Sequence, residues 1–375
     1  MLPLKEVQPE TITNDDILPY TLIEELTYNG ITYQRIKKNY KSFNYGEVVI
    51  DSNNIVPQYP SIYRCYNLKK ALANHFQVNE KFIVEEKLDG YNVRIVNISN
   101  NIVAFTRGGF ICPYTTEILE NYPEIKNFLL MNYDKVLCAE LVGENPYNTL
   151  SIRMYGEEPQ IYIFDIMDLK NKTCKSRKKS FLIPVQEKLD FFNQYNLKTA
   201  PVYGVFTPKD YKTIRNIIIK SNELKKEGIV IKALDTKRKY IKFATPYADI
   251  EAITDHITKS FECDTAHFRK RLFLLASYAL EFSYTKEDIF SQLGSKLDFY
   301  LTDVLRSNQK IEIYNITISE KNWIELEKLL SRTLKITILL RTETIDGKLR
   351  ITFEKYYKKT SEFIKGANAG RLFVD

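Results

Sequence analysis

Four stretches of the chain carry four different rhythms of apolar and polar residues. Residues 1–65 hold short alternating runs, LIEELTYNGITYQRI and EVVIDS, the first broken at Asn29-Gly30. Alternation marks half-buried strands, and Asn-Gly supplies the two positive φ values of a tight hairpin turn. This stretch predicts a small N-terminal β module. Arg64 and the helix-patterned YNLKKALANHF at 66–76 lead into a core that runs to residue 245. From 81 onward, strands and helices alternate there. KVLCAELVG, QIYIFDIMD, GIVIKAL and KYIKFAT are β-branched and aromatic. SRKKSFLIPVQEKLDFFNQY and PKDYKTIRNIIIKSNEL space their apolar residues as helices do. Residues 246–307 turn helical in three pieces, with Asp264-Thr265 as a cap for the second. Their apolar stripes suit packing on the core or pairing with a second copy. Residues 308–375 read strand, helix, strand, an Asp346-Gly347 turn, strand and helix. The fold class is α+β, with a mostly antiparallel sheet in the 66–245 core and the site in its groove.

Composition narrows the setting. A chain of 375 residues predicts two to three domains, and 44% apolar residues suffice for a sizeable core. No run of 18 or more apolar residues occurs, so no membrane span is expected. MLPLKEVQPE has neither the basic start nor the apolar stretch of a secretory signal. Five cysteines, at 65, 112, 138, 174 and 263, form no C-x-x-C pair. Neither zinc nor a disulfide framework is indicated, and reduced thiols in a cytoplasm are expected. His75, His256 and His267 show no triad or metal spacing, and Trp323 reads as a packing residue. The net charge is +7, compatible with a polynucleotide partner. KNKTCKSRKK at 170–179 is either a solvated loop or a guide for a phosphate backbone. Lys237-Arg238-Lys239 is better placed to meet phosphates.

Candidate chemistry centres on EEKLDGYNVRI, residues 85–95. Taken alone it reads first as a hairpin, FIVEE and NVRIVNI about a Leu88-Asp89-Gly90 turn. The other reading makes Lys87 a nucleophile. A free lysine, with a pKa near ~10.4, is a poor one at neutral pH. Desolvation or nearby cations would lower it, and Lys232 and Lys242 are the neighbours that could do so once the substrate and a metal ion are in place.

Five further segments follow in order: FTRGG (105–109), CAELVG (138–143), YIFDI (162–166), EGIVIK (227–232) and YIKFATPYADI (240–250). The series resembles the nucleotidyltransferase motifs of polynucleotide ligases and mRNA capping enzymes. EEKLDGYNVRI, TRGGF, ELVGENPY and KFATPYADI look most like the archaeal-type, homodimeric ATP-dependent RNA ligases. The resemblance spans about residues 60–260 and implies a ligase adenylation core at 66–245, a helical dimerisation region at 246–307 and a C-terminal α/β module at 308–375. It also implies roles. Lys87 would accept AMP from ATP. Lys232 and Lys242 would neutralise phosphoryl charge. Phe164 and Val230 would cover the two faces of adenine, and Glu86 would meet its edge through a backbone or side-chain group. Glu140 would accept from a ribose hydroxyl, and Arg94 and Arg107 would contact ribose or phosphates. Asp89 and Gly90 would flank the nucleotide, Gly90 and Gly143 allowing close backbone approach. Glu227 would orient the water shell of Mg²⁺ or Mn²⁺. The implied partners are single-stranded RNA bearing a 5′-phosphate, single-stranded DNA as a secondary substrate, and a second copy of the chain. DNA ligases and capping enzymes follow this core with an OB-fold module and a basic final motif. Here a helical stretch and a βαββα pattern follow instead, with no counterpart of that motif. A DNA ligase, a guanylyltransferase and a non-catalytic RNA-binding protein are the alternatives.

Overall fold

The computed structural model describes residues 19–371, apart from 42, 52–53, 149–151, 171–180, 235–238, 260–265, 285 and 334–336. The basic run at 171–179, Lys237-Arg238 and the Asp264-Thr265 cap lie outside the described residues.

The first sheet has four strands in chain order: Ile23–Tyr28, Ile31–Ile36, Val48–Asp51 and Asn54–Val56. Its opening hairpin turns at Asn29 and Gly30, with φ of 46° and 82°, as an Asn-Gly pair between alternating strands dictates. The core holds two sheets where one is expected. One is antiparallel, in the order Gln160–Asp168, Lys135–Val142, Tyr91–Ile98, Asn101–Thr106. The other runs Val202–Phe206, Phe82–Lys87, Gly228–Ala233, Tyr240–Ala244, Tyr63–Arg64. Its last pair is parallel, joining the end of the N-terminal segment to the core. The EEKLDG turn therefore does not close a hairpin. Phe82–Lys87 and Tyr91–Ile98 enter different sheets, and Lys87 sits where one sheet gives way to the other.

One core helix is shorter than its pattern suggests. It spans Val185–Gln194, whereas the apolar spacing predicts helix from 176. Pro184 disfavours helical backbone at Ile183. Residues 181–183 instead run extended beside Gln160–Asp168, with Asp168 N–H donating to Phe181 and Ile183 N–H to Ile166.

The three helices after the core, Pro246–Thr258, Ala266–Phe282 and Lys286–Ser307, pack on the five-stranded sheet. Leu275, Tyr278, Phe282, Ile289 and Leu293 share a core with Phe82, Val84, Ile229 and Ile231. Phe273, Leu280 and Phe299 stay about 70% exposed on the same helices (72%, 72% and 68%). The last segment forms a three-stranded sheet, Ile311–Ile318, Lys348–Tyr356, Thr337–Ile345, with helices Glu320–Thr333 and Lys358–Asn368. Trp323 packs on Phe353 there, as expected. This module is fastened to the core by two buried glutamates. Glu117 accepts from Ser319 N and Oγ, Asn322 Nδ2 and Lys348 Nζ. Glu144 takes both guanidinium nitrogens of Arg350. Cys65, Cys112 and Cys138 are buried free thiols. Among the described residues, no helix is long and apolar enough to cross a membrane.

Candidate active site

Between the two core sheets lies a cleft of about 230 Å³. Strand register explains which side chains face it. Val230 stands opposite both Glu85 and Lys242, Gly228 opposite Lys87, and Lys232 opposite Ile83. Cross-strand neighbours share a face, and successive residues alternate. Lys87 and Glu85 therefore point the same way as Val230, Lys232 and Lys242. Gly228 keeps this grid flat: a Cβ there would fall 2.0 Å from the Phe243 carbonyl oxygen. Gly90 plays the same part across the cleft, where a Cβ would lie 2.1 Å from the Leu141 oxygen. On the opposite sheet Glu140 pairs with Asn92, and both reach the cleft.

Phe164 enters by a different device. The ladder between Gln160–Asp168 and Lys135–Val142 slips between Ile163 and Asp165, leaving Phe164 as the extra residue of a bulge. Bulges re-aim side chains and free backbone groups. Phe164 turns its ring into the cleft, with Tyr59 edge-on at 5.1 Å. Its freed carbonyl accepts from Lys232 Nζ at 2.8 Å and Lys188 Nζ at 3.1 Å.

The structure brings most of the expected residues together. Glu86, Lys87, Arg107, Glu140, Phe164, Val230, Lys232 and Lys242 all line the cleft. Glu227 is hydrogen-bonded to Lys87 Nζ at its rim. Asp89 and Gly90 are held in the turn by Asn148 Nδ2, 3.3 Å from each acceptor, and Gly90 N–H faces Glu140 at 3.3 Å. Gly143 meets the chain at Glu158, not the cleft: a Cβ would lie 2.3 Å from that residue's oxygen. Glu86 offers the cleft its backbone alone. Alternation turns its carboxylate to the other face, where Lys226 and the Tyr203 hydroxyl take it.

Arg94 corrects the expectation outright. It is fully buried, and its guanidinium donates to the carbonyls of Gly46 (2.7 Å), Pro57 (2.8 Å), Thr106 (2.9 Å) and Val56 (3.4 Å). The N-terminal module folds over this end of the strand, so Arg94 ties module to core and reaches no ribose or phosphate. Asn92, absent from the expectations, lines the cleft in its place. Gln58 and Tyr59, from the segment that crosses into the core, were equally unforeseeable.

Electrostatics set the charge on Lys87. Burial alone would push Lys87 down, but Glu227, Glu140 and Asp89 outweigh it and hold the ammonium above its ordinary value. Lys232 does not counter them, because Glu85 (2.6 Å) and Asp165 (3.1 Å) absorb its charge. The depressed lysine is Lys242, brought to about 8 by burial, then by Lys87 and Arg64. Burial, then Glu227 and Asp89, push Glu140 up to about 8 against the pull of Lys87. Burial and Glu227 bring Asp89 to about 6. With Glu140 mostly protonated near neutrality, Glu227 and Asp89 still outnumber the one ammonium, a surplus of negative charge that fits a hard divalent cation. Among the described residues, no group of three or more His, Cys, Asp or Glu is arranged to hold a metal alone. Mg²⁺ characteristically takes one or two carboxylates, waters and substrate phosphates.

Residues 80–244 match the RNA ligase family. The chain is 27% identical to an uncharacterised protein of Methanocaldococcus jannaschii, over 94% of this chain and 91% of that one. A putative ATP-dependent DNA ligase from Aquifex aeolicus is similar in structure, with a TM-score of 0.86 and 28% identity over 94% of this chain and 97% of that one. An archaeal ATP-dependent RNA ligase shares the fold, with a TM-score of 0.82 and 23% identity over 94% of each chain.

Proposed function

We propose that this chain, which carries an RNA ligase family domain at residues 80–244, joins RNA ends through an AMP held covalently on Lys87. The observation that carries the reading is the cleft itself. One lysine at a strand end shares a face with Lys242 and Val230, with Phe164 and Glu140 opposite.

In the first step Lys87 Nζ attacks the α-phosphorus of ATP. The N–P bond forms, the P–O bond to pyrophosphate breaks, and the two protons that Nζ loses pass to solvent and to the departing pyrophosphate. Phe164 and Val230 flank the adenine, and Glu140 accepts from the ribose. Lys242 bears on the phosphoryl oxygens, where a fixed cation stabilises the charge that develops, and Lys232 joins it only by giving up Glu85 or Asp165. Glu227 would hold a divalent cation, which would supply positive charge beside Nζ and the phosphates. Next, the 5′-phosphate of an RNA attacks the same phosphorus and Lys87 leaves, giving an inverted pyrophosphate linkage. Finally a 3′-hydroxyl attacks the activated 5′-phosphate and AMP departs. Single-stranded DNA is a secondary acceptor. Phe273, Leu280 and Phe299 support a homodimer, which light scattering of the full chain would test.

The test is end joining. With ATP and Mg²⁺ or Mn²⁺, 5′-phosphorylated single-stranded RNA should be circularised or joined. The likeness to the Aquifex protein favours a second reading, nick sealing in DNA. If nicked duplex DNA were sealed and single-stranded RNA left untouched, the RNA reading would fail. Labelling of the protein by GTP in preference to ATP would point to a guanylyltransferase.

Lys242 sets a pH dependence. Triphosphate binding favours its ammonium, so affinity is full below about 8 and falls as pH rises through that value. Glu140 gains its charge over the same range and acts in the same direction. Metal-free affinity for a non-hydrolysable ATP analogue should drop about tenfold between pH 7 and 9. The Lys242→Arg variant, charged throughout, should flatten most of that slope in calorimetric titrations.

A further inference from the structure

Beside the cleft sits a pair of arginines that the adenylylation step leaves without a role. Asp249, in the first turn of Pro246–Thr258, is buried. Its Oδ1 accepts from Arg64 Nη1 at 2.9 Å and from Arg271 Nη1 at 2.5 Å. Two guanidinium charges thus share one carboxylate. Each side chain keeps about a fifth of its surface in solvent, 21% for Arg64 and 23% for Arg271. A guanidinium has five N–H donors, so each retains donors to direct outward.

Their placement points toward the site. Arg64 stands opposite Lys242 across the parallel pair Tyr63–Arg64 and Tyr240–Ala244, so both project from one face of the sheet. Lys242 lines the cleft on that face. Arg271 comes from Ala266–Phe282, the second of the three helices that follow the core in place of a basic terminal module. Both are felt inside the cleft: Arg64 helps push Lys242 down, and Arg271 acts to lower Asp89. A buried carboxylate that locks two arginines in place makes a pre-set fork for a phosphate group.

We propose that Arg64 and Arg271, held by Asp249, form a second phosphate site that takes the phosphoryl group next to the AMP being transferred. This rests on the ligase reading and extends it. Displacement at the α-phosphorus runs in line, with Lys87 on one side. Pyrophosphate leaves from the far side when Lys87 attacks. The RNA 5′-phosphate enters from that far side when Lys87 leaves. One site can therefore serve both sources, with the transferred AMP between it and Lys87.

The experiment compares full-length protein with Arg271→Ala, Arg64→Ala and Arg271→Lys, the last keeping a cation on Asp249. Pyrophosphate and AMP are titrated first, by calorimetry. Pyrophosphate affinity should fall about ten- to a hundredfold in each alanine variant, while AMP affinity stays within about twofold. Arg271→Lys should recover part of the loss, because charge returns without the fork. Two rates then separate the sources: lysyl-AMP formation against ATP concentration, and AMP transfer from preformed lysyl-AMP to 5′-phosphorylated RNA. A loss confined to the first assigns the site to the β- and γ-phosphates. A loss confined to the second assigns it to the RNA end, and loss in both assigns it to both. Unchanged pyrophosphate affinity and unchanged rates in both alanine variants overturn the proposal. If pyrophosphate binding needs both arginines yet no lysyl-AMP forms in the parent protein, the phosphate site stands and the ligase reading falls.

Discussion

Lys87→Ala and Lys87→Arg should both abolish transfer of α-labelled AMP to the protein, by at least about 10⁴-fold, because each removes the attacking amine. The arginine variant is the sharper of the two. It keeps a cation against Glu227 and Glu140, as the parent lysine does, so the fold is preserved. A guanidinium cannot serve as the nucleophile, since it stays protonated. Denaturing gels after incubation with labelled ATP and a divalent metal read the adduct, and thermal melts report the fold. Label that persists on either variant at the wild-type level would place the nucleophile elsewhere. Sealing of RNA that already carries an adenylylated 5′-end should survive Lys87→Arg far better than the complete reaction, because that step does not use the amine.

Lys188→Met should cost about 3–5 kcal/mol of stability, the largest structural loss expected from a single side chain here. Lys188 is fully buried, with Nζ 2.7 Å from Glu85 and 3.9 Å from Asp165. Lys232 completes a balanced set of two acids and two bases beneath the cleft. Taking away one base leaves buried negative charge with too little to offset it. The effect carries a pH signature. Burial works to raise Glu85, but Lys188 and Lys232 outweigh it and hold the carboxyl below its ordinary value. The stability it contributes is therefore full above the ordinary carboxylate range and lost as pH falls through the depressed value. Without Lys188 that value rises, so acid unfolding should begin at higher pH. Urea titrations at several pH values test both parts. A variant within about 1 kcal/mol of the parent would mean the cluster adds little beyond its packing.

That Lys87, Phe164 and Val230 would meet in one cleft was legible because their segments occur in a fixed order. What the order could not convey was how each side chain is aimed. Phe164 reaches the cleft through a bulge, and YIFDI reads as a regular strand. Arg94 shares a strand face with Asn92, and nothing local says that Gly46 and Pro57 will cover one and spare the other. The charge on Lys87 was not legible for a related reason. Its carboxylate neighbours come from three separate segments, while Lys232 spends its charge on partners that spacing does not reveal. Lys188 did leave a trace: it lies between Val185 and Phe192 on the buried side of its helix, a lysine where an apolar residue belongs. A charge at such a position implies a buried partner without naming it.

The glutamates that anchor the C-terminal module set an order of events during synthesis. Glu117 and Glu144 belong to the first half of the chain, yet their partners Ser319, Asn322, Lys348 and Arg350 come near its end. Tyr28, on the N-terminal sheet, likewise waits for Asn322. Until the last segment leaves the ribosome, both carboxylates stay solvated and the apolar face beneath Ile316 and Phe353 stays open. A nascent chain stopped before residue 310 would own every motif residue of the cleft and still lack a closed core. Chains that stop short of Arg350 should accordingly be cleaved faster than the full chain in limited proteolysis.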